Sequence, residues 1–233
     1  MAIIDKPSDY FRIKLYAGNA TNDTAITWDE TDTNMQPDML WFKSRTDTQG
    51  HALFDSVRGA IKRLAPNETG AEGDEATNLD SFDTNGFTVD AEAIVNGSSR
   101  NYVTWGWKAG TSFTNDASAT GIGSIDSSGS VNTDAGFSII SYTGNATNGA
   151  TVAHGLGVKP SFYILKSRNT ANTWYTYHKN VGATKTVPLN TTDGELSTSY
   201  ANSTEPTSSV FSLGSAAAFN GSGDTFITYC FTE

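Results

Sequence analysis

Residues 142–152, "YTGNATNGATV", repeat residues 16–26, "YAGNATNDTAI", with six of the eleven positions identical. The repetition continues along the chain, because "QPDMLWFKSRT" (36–46) matches "KPSFYILKSRN" (159–169) and "NYVTWGWKA" (101–109) matches "TFITYCFTE" (225–233). The offset between the copies stays between 123 and 126 residues. Self-similarity of this kind predicts two tandem modules that arose by internal duplication.

Each module has the pattern of short strands joined by turns. Runs such as "FRIKLY" (11–16) and "MLWFK" (39–43) are apolar or alternate, which predicts strands, and "HALFDSVRGAIKRL" (51–64) predicts two strands with a turn at its glycine. The pairs Asn-Gly and Asp-Gly at 85–86, 96–97, 193–194 and 220–221 predict hairpin turns, since they tolerate positive φ. The fold class is therefore all-β, with two tandem antiparallel β-sandwich modules of the jelly-roll or concanavalin-like kind.

The repeat also divides the chain into segments. We expect module 1 at residues 11–109 and module 2 at 137–233, preceded by an attachment segment at 1–10. Residues 110–136 are rich in Gly, Ser, Thr and Asn. They are expected to form a linker between the modules, either a flexible one or a polar ribbon that runs along a neighbour.

Composition and charge exclude several classes of function. A net charge of −10 and a pI near 4.6 disfavour binding to nucleic acid or to an anionic membrane surface. No apolar run approaches the roughly 20 residues that cross a bilayer, so membrane insertion is not expected.

Cys230 is the only cysteine, which rules out an intrachain disulfide. Because "MAIIDKPSDYF" (1–11) lacks the basic and apolar regions of a signal peptide, we expect folding in a cytoplasm.

Recognisable catalytic and metal motifs are missing from the sequence. The three histidines lack zinc-site spacing, and the acidic loop at 29–34 lacks EF-hand spacing, so neither a metal nor a cofactor is expected. The carboxylates of residues 66–80 crowd one loop, whereas a glycosidase holds two on rigid strands. We assign no catalytic residue and expect a protein that is not an enzyme.

The aromatic residues give the candidate binding site. Trp105 and Trp107 match Tyr229 and Phe231, and Trp41 matches Ile164, so we expect these positions to lie in the core of each module. Trp28 and Trp174 have no aromatic counterpart in the other module. They are predicted to be exposed rings on which sugars stack, with His178 as a third ligand-binding candidate.

A family resemblance covers almost the whole chain. The segments that carry it include "IDKPSDYF" (4–11), "QPDMLWFKSRT" (36–46), "HALFDSVRGA" (51–60), "SFDTNGFTV" (81–89), "NYVTWGWKAG" (101–110), "NTDAGFSIISYTGNAT" (132–147), "HGLGVKP" (154–160), "EPTSSVFSLGS" (205–215) and "GDTFITYCFTE" (223–233). In this order they resemble a family of tailed-bacteriophage virion proteins common in marine phages, often described as tail-fibre or lectin-like.

The resemblance implies a structural protein of the virion, assembled in the host cytoplasm. It would be a tail fibre or appendage component that displays β-sandwich modules and binds host-surface glycan. The alternative is a capsid decoration protein, and a surface-glycan depolymerase is the least favoured interpretation. The implied partners are other virion proteins, contacted through residues 1–10, and further copies of the chain, expected by analogy to form a homotrimer.

Overall fold

The computed structural model describes residues 4–233, which form nineteen strands and little helix. The first nine strands are β1 (Phe11–Ala17), β2 (Thr24–Thr27), β3 (Met39–Ser44), β4 (His51–Asp55), β5 (Gly59–Leu64), β6 (Gly73–Asp74), β7 (Leu79–Asp83), β8 (Gly86–Val89) and β9 (Asn101–Trp107). The others are β10 (Thr111–Asn115), β11 (Ser127–Asn132), β12 (Phe137–Thr143), β13 (Ala150–Ala153), β14 (Phe162–Ser167), β15 (Tyr175–His178), β16 (Lys185–Thr186), β17 (Leu196–Ser197), β18 (Val210–Leu213) and β19 (Thr225–Phe231). A 3-10 turn (Pro7–Asp9) and two four-residue helices, α1 (Ala117–Thr120) and α2 (Ala217–Asn220), complete the elements.

The chain divides into two compact units. Unit 1 contains residues 4–67 and 72–110, and unit 2 contains residues 68–71 and 111–233. Neither helix in residues 4–233 is long and apolar enough to cross a membrane.

Unit 1 is an antiparallel sandwich. A six-stranded sheet has the order β1-β9-β3-β4-β5-β6, and a three-stranded sheet has the order β2-β8-β7. The core lies between them, where Leu40 and Phe42 of the larger sheet and Phe87 and Val89 of the smaller sheet belong to one buried cluster. Phe42 and Phe87 meet edge to face, with their ring centroids 5.2 Å apart.

Unit 2 also has a six-stranded larger sheet, with two small sheets in place of one. Its order is β10-β11-β12-β19-β14-β15, with β13-β18 and β16-β17 as two-stranded sheets. Tyr163 and Leu165 of β14 and Phe211 and Leu213 of β18 share one buried cluster. The predicted all-β sandwich fold is thus confirmed, as are the two strands and the turn predicted for residues 51–64.

Residues 110–136 do not form a flexible linker, so this one of the two alternatives expected for the segment is wrong. Strand β10 pairs with β11, and β11 pairs with β12, so this polar segment forms one side of the large sheet of unit 2. Small side chains allow the close packing, because a Cβ added at Gly129 would lie 1.9 Å from the backbone oxygen of Ile139. Of the two alternatives that the composition left open, the polar ribbon is the one that describes this segment.

Two of the four predicted hairpin turns are also wrong. The turn at residues 84–86 joins the hairpin β7–β8, and the loop that contains 193–194 joins β16 to β17. Asn96-Gly97 and Asn220-Gly221, in contrast, precede β9 and β19 at points where the chain passes from the small sheet to the large one. At these positions Asn96 and Asn220 hold the repeated stretches 16–26 and 142–152, respectively.

In unit 1 the repeated stretch is held by the buried carboxamide of Asn96. Its Nδ2 donates to Asn19 Oδ1 (3.0 Å) and to the carbonyl oxygen of Thr21 (2.9 Å), while its Oδ1 accepts from Asn19 N (3.0 Å). The backbone N of Ala20, a residue with φ of 55°, donates to Asn96 O (2.7 Å). The approach requires glycine, since a Cβ at Gly18 would lie 2.3 Å from Gly97 O.

Unit 2 holds its copy of the stretch in the same way. Asn220 Oδ1 accepts from Asn145 N (2.9 Å), and Asn220 Nδ2 donates to the carbonyl oxygens of Thr147 and Gly214 (3.0 Å each). Ala146 has φ of 56° and donates to Asn220 O (2.7 Å). The identical residues of the two stretches therefore occupy equivalent hydrogen-bonding positions.

The repeated Lys-Ser-Arg motif has a structural role as well. Lys43 Nζ donates to the carbonyl oxygens of Ser44 (2.8 Å) and Gln49 (2.7 Å), and Lys166 Nζ donates to Ser167 O (2.8 Å) and Thr170 O (3.3 Å). Each lysine thus satisfies the carbonyls of the loop that follows its own strand. Burial lowers the pKa of Lys166 to about 8.

The described part of the attachment segment is bound to unit 1. The buried guanidinium of Arg12 donates to Ser8 O (2.6 Å), Thr33 O (2.9 Å) and Asn85 Oδ1 (3.2 Å), and Lys6 forms an ion pair with Asp32 (2.5 Å). Residues 1–3 lie outside the described residues, and attachment of residues 1–10 to a partner stays a prediction.

We expect Asn96→Ala and Asn220→Ala each to lower the free energy of unfolding by about 2–4 kcal/mol. The reason is that each substitution removes three hydrogen bonds and leaves polar groups that are partly or fully buried without their partner. Urea unfolding measures the effect, and the exposed Asn101→Ala is the control, with an expected change below about 0.5 kcal/mol. Equal stability of Asn96→Ala and Asn101→Ala would contradict the role of this carboxamide.

Candidate functional site

An aromatic cleft lies on the outer face of the large sheet of unit 1. Trp41, His51, Trp105 and Trp107 line a cavity of about 280 Å³. They lie on three neighbouring strands, because Trp41 of β3 is directly opposite Trp105 of β9, and β4 carries His51. All four side chains are half-buried, so their rings are accessible to a ligand. The volume is close to the lower end of the roughly 300–1,000 Å³ typical of small-molecule sites.

One hydrogen bond fixes the walls of the cleft. Trp41 Nε1 donates to His51 Nδ1 (2.8 Å), and the two rings meet edge to face with centroids 5.8 Å apart. The backbone N of His51 donates to Asn67 Oδ1 (2.8 Å), which holds this end of β4. The indole and the imidazole are therefore positioned before any ligand binds.

The same bond assigns the tautomer of His51. Because Nδ1 accepts a hydrogen bond, the proton of the neutral ring is on Nε2. Burial lowers the pKa of His51, and the positive charge of Lys43 on the adjacent strand lowers it further. At neutral pH the site therefore combines apolar ring faces with the neutral Nε2–H donor of His51.

The expectation that Trp41, Trp105 and Trp107 lie in the core is wrong. Along β9 the buried residues are Tyr102, Thr104 and Gly106, so the strand alternates as predicted but its opposite face is the inner one. Gly106 has no side chain because the ring of Trp28 packs there, and a Cβ would lie 2.6 Å from it. The glycine between two tryptophans was the signal in the sequence that a large ring packs on this face.

The predicted exposure of Trp28 is wrong for the same reason. Its ring is buried in the core of unit 1, 5.6 Å from the ring of Phe87, and Nε1 donates to Met35 O (2.7 Å). This tryptophan fills the space that Gly106 leaves, which explains why it has no aromatic counterpart.

Trp174 is also buried, contrary to the prediction. Its Nε1 donates to Glu68 O (3.0 Å), within unit 2, and Lys166 Nζ lies 6.0 Å from its ring centroid. No local pattern in the sequence indicates this burial, because Glu68 and Trp174 are 106 residues apart in the chain.

His178 is the one predicted ligand-binding residue whose side chain is exposed. It lines an apolar cavity of about 340 Å³ in unit 2, together with Phe162, Thr176, Val181, Val187, Pro188 and Leu189. His178 Nδ1 accepts from the backbone N of Asn180 (3.2 Å). The structure does not bring His178 together with Trp28 or Trp174, and its role as a ligand-binding residue stays a prediction.

The acidic loops are occupied by ion pairs. Asp29 pairs with Lys14, Glu72 with Arg58 (3.0 Å) and Glu75 with Arg63 (3.6 Å). Within residues 4–233 no group of three or more acidic, histidine or cysteine side chains is placed to hold a metal ion.

A third cavity, of about 360 Å³ in unit 2, is lined by hydroxyl groups and by Asp116 and Asp126. Both carboxylates accept backbone N–H bonds at the start of α1, which gives them a structural role.

Comparison with known proteins gives one family. Residues 6–233 match the model of a family described as "Domain of unknown function (DUF7483)". The chain belongs to this family. No curated protein and no solved structure matches the chain. Membership of the DUF7483 family thus extends over both units and assigns them no activity.

We expect the stability of the protein to depend on pH through His51. Its pKa is lower in the folded protein than the unfolded value of about 6.5, so the unfolded chain binds the proton more readily. Stability is therefore lost as the pH falls below about 6.5, until the pH reaches the folded-state pKa. Urea unfolding at pH 7.5 and 5.0 measures this loss for the wild type and for His51→Asn, which keeps an acceptor for Trp41. The same loss in both proteins would contradict the assignment.

Proposed function

We propose that this protein is a non-enzymatic structural component of a tailed-bacteriophage particle, and that it binds neutral glycan on the host surface. The binding site is the aromatic cleft of unit 1. The proposal combines the sequence resemblance to phage virion proteins with one structural observation, the open cleft of three indoles and one imidazole.

The chemistry of the cleft fits a pyranose ring. A sugar has an apolar face of C–H groups, which packs on an indole, and an edge of hydroxyl groups, which needs hydrogen-bond partners. Trp41 and Trp105 lie side by side on neighbouring strands and offer the apolar surface. His51 Nε2 offers the donor at the rim. A net charge of −10 favours neutral sugars over polyanionic ones.

The fold suits display outside a cell. Each unit has its own buried core between sheets. Charged residues make up only 17% of the chain, so neutral hydroxyl and amide groups hydrate much of its surface. A tail fibre or appendage is the location that this function favours. A decoration protein on the capsid is the second candidate, and the resemblance supports both. The proposed partners are other virion proteins, contacted through residues 1–10, and further copies of the chain in a homotrimer.

Trp105→Ala is expected to weaken glycan binding at least tenfold, which is about 1.4 kcal/mol, because it removes one of the three indole rings of the cleft. Affinity electrophoresis against a panel of neutral and acidic polysaccharides provides the measurement. Ile61→Ala is the matched control, since Ile61 is an exposed apolar residue on β5 of the same unit. Both variants should unfold within about 1–2 kcal/mol of the wild type. Unchanged binding by Trp105→Ala would exclude the cleft as the site.

Immunogold labelling of intact virions tests the location. Gold on tail appendages supports host recognition, whereas gold spread over the head supports the decoration protein. Particles that carry no label, from a phage that encodes this protein, would contradict a virion role of either kind.

A further inference from the structure

Strand β1 forms an open edge of the large sheet of unit 1. It is the terminal strand in the order β1-β9-β3-β4-β5-β6. Bonds from Lys108 N to Tyr10 O (2.8 Å) and from Gly18 N to Arg100 O (2.8 Å) show that the even-numbered residues of this segment bond to β9. Alternate residues of an antiparallel strand point their backbone groups to opposite sides. The odd-numbered residues of β1 therefore direct their N–H and C=O groups away from β9.

These outward groups are unsatisfied within the described chain. No residue of 4–233 forms a hydrogen bond with the backbone of Phe11, Ile13, Leu15 or Ala17. The side chains add an apolar surface, because Ile13 is 47% exposed and Leu15 is 55% exposed. Proteins usually shorten, cover or charge such an edge, and the opposite edge of the same sheet, β6, is only two residues long.

Unit 2 shows which structure this edge accepts. Strand β12 corresponds to β1 in the repeat, and on the corresponding side it pairs with β11 in antiparallel orientation. Ile139 and Ser141, which correspond to Ile13 and Leu15, lie opposite Ser130 and Ser128. Among residues 4–233 no strand lies on the same side of β1.

We propose that the open edge of β1 pairs with β1 of a second copy of this chain, in antiparallel orientation about a two-fold axis at Leu15. Two-fold pairing makes the contact self-complementary and closed. The pairing edge adjoins the aromatic cleft, because Ile13 lies directly opposite Trp105, but it does not require a ligand there.

The charges on β1 favour this register over the registers centred on Ile13 and Lys14. With the axis at Leu15, the two Leu15 residues face each other, Ile13 faces Ala17, and Lys14 faces Tyr16. An axis at Lys14 would instead place two lysines opposite each other, and an axis at Ile13 would place Lys14 opposite Arg12. Like charges directly opposite each other destabilise a pair of strands.

Sedimentation equilibrium of the full chain, over a hundredfold range of concentration, tests the proposal. The wild type is expected to dimerise reversibly. Leu15→Lys should weaken the dimer at least tenfold, since it places two ammonium groups at the axis. Ile61→Lys is the matched control and should behave as the wild type, because Ile61 is 44% exposed but lies on β5. A monomeric wild type, or an oligomer that persists unchanged in Leu15→Lys, overturns the proposal.

A crosslink tests the register without relying on affinity. Residues directly opposite in a hydrogen-bonded antiparallel pair have Cα atoms about 5.5 Å apart, within the range for a disulfide. Leu15→Cys should therefore form a disulfide-linked dimer in oxidising buffer, whereas Ile61→Cys should not. Cys230 is buried and does not interfere. Equal crosslinking of the two variants would overturn the pairing about Leu15.

Discussion

The buried carboxamides of Asn96 and Asn220 are the interactions on which both sandwiches depend. In unit 1 the chain passes from the large sheet to the small one between β1 and β2, and it returns between β8 and β9. Asn96 lies on the return path and bonds to Asn19 and Thr21 on the outward path. Asn96 therefore connects the segment between β1 and β2 to the segment between β8 and β9, and Asn220 connects the equivalent segments of unit 2. These bonds fix the position of the small sheet relative to the large sheet in each unit. Apolar packing between the sheets does not specify register, so these directional hydrogen bonds add that information.

Periodicity in the sequence predicted much of this fold. The repeat and the strand-length runs gave the all-β class and the positions of β1, β3, β9 and their counterparts, because alternation requires only the local chain. The same alternation does not identify the buried face of a strand when neither face carries charged residues. In β9 the inner face has Thr104 and Gly106, and the outer face has Trp105 and Trp107. Hydrophobicity alone would place Trp105 and Trp107 on the inner face and Thr104 and Gly106 on the outer face.

The candidate site shows the limit of aligning the two copies. Trp41 and Trp105 match Ile164 and Tyr229, which are buried in unit 2, so the alignment suggested burial in both units. Equivalent positions in a repeat share backbone geometry but need not share solvent exposure. Trp28 and Trp174 lack aromatic counterparts, yet both are buried in their own units. The bond between Trp41 and His51 joins different strands and has no local signature in the sequence.

Residues 68–71 have a consequence for how this chain can be divided. They belong to unit 2 although the chain on both sides of them belongs to unit 1, and Glu68 supplies the carbonyl to which Trp174 Nε1 donates. Unit 2 is therefore not a continuous piece of polypeptide. A fragment that begins at residue 111 would contain every strand of unit 2 but would lack the acceptor for its largest buried ring. A boundary placed in the sequence between the two copies of the repeat therefore does not coincide with the division into compact units.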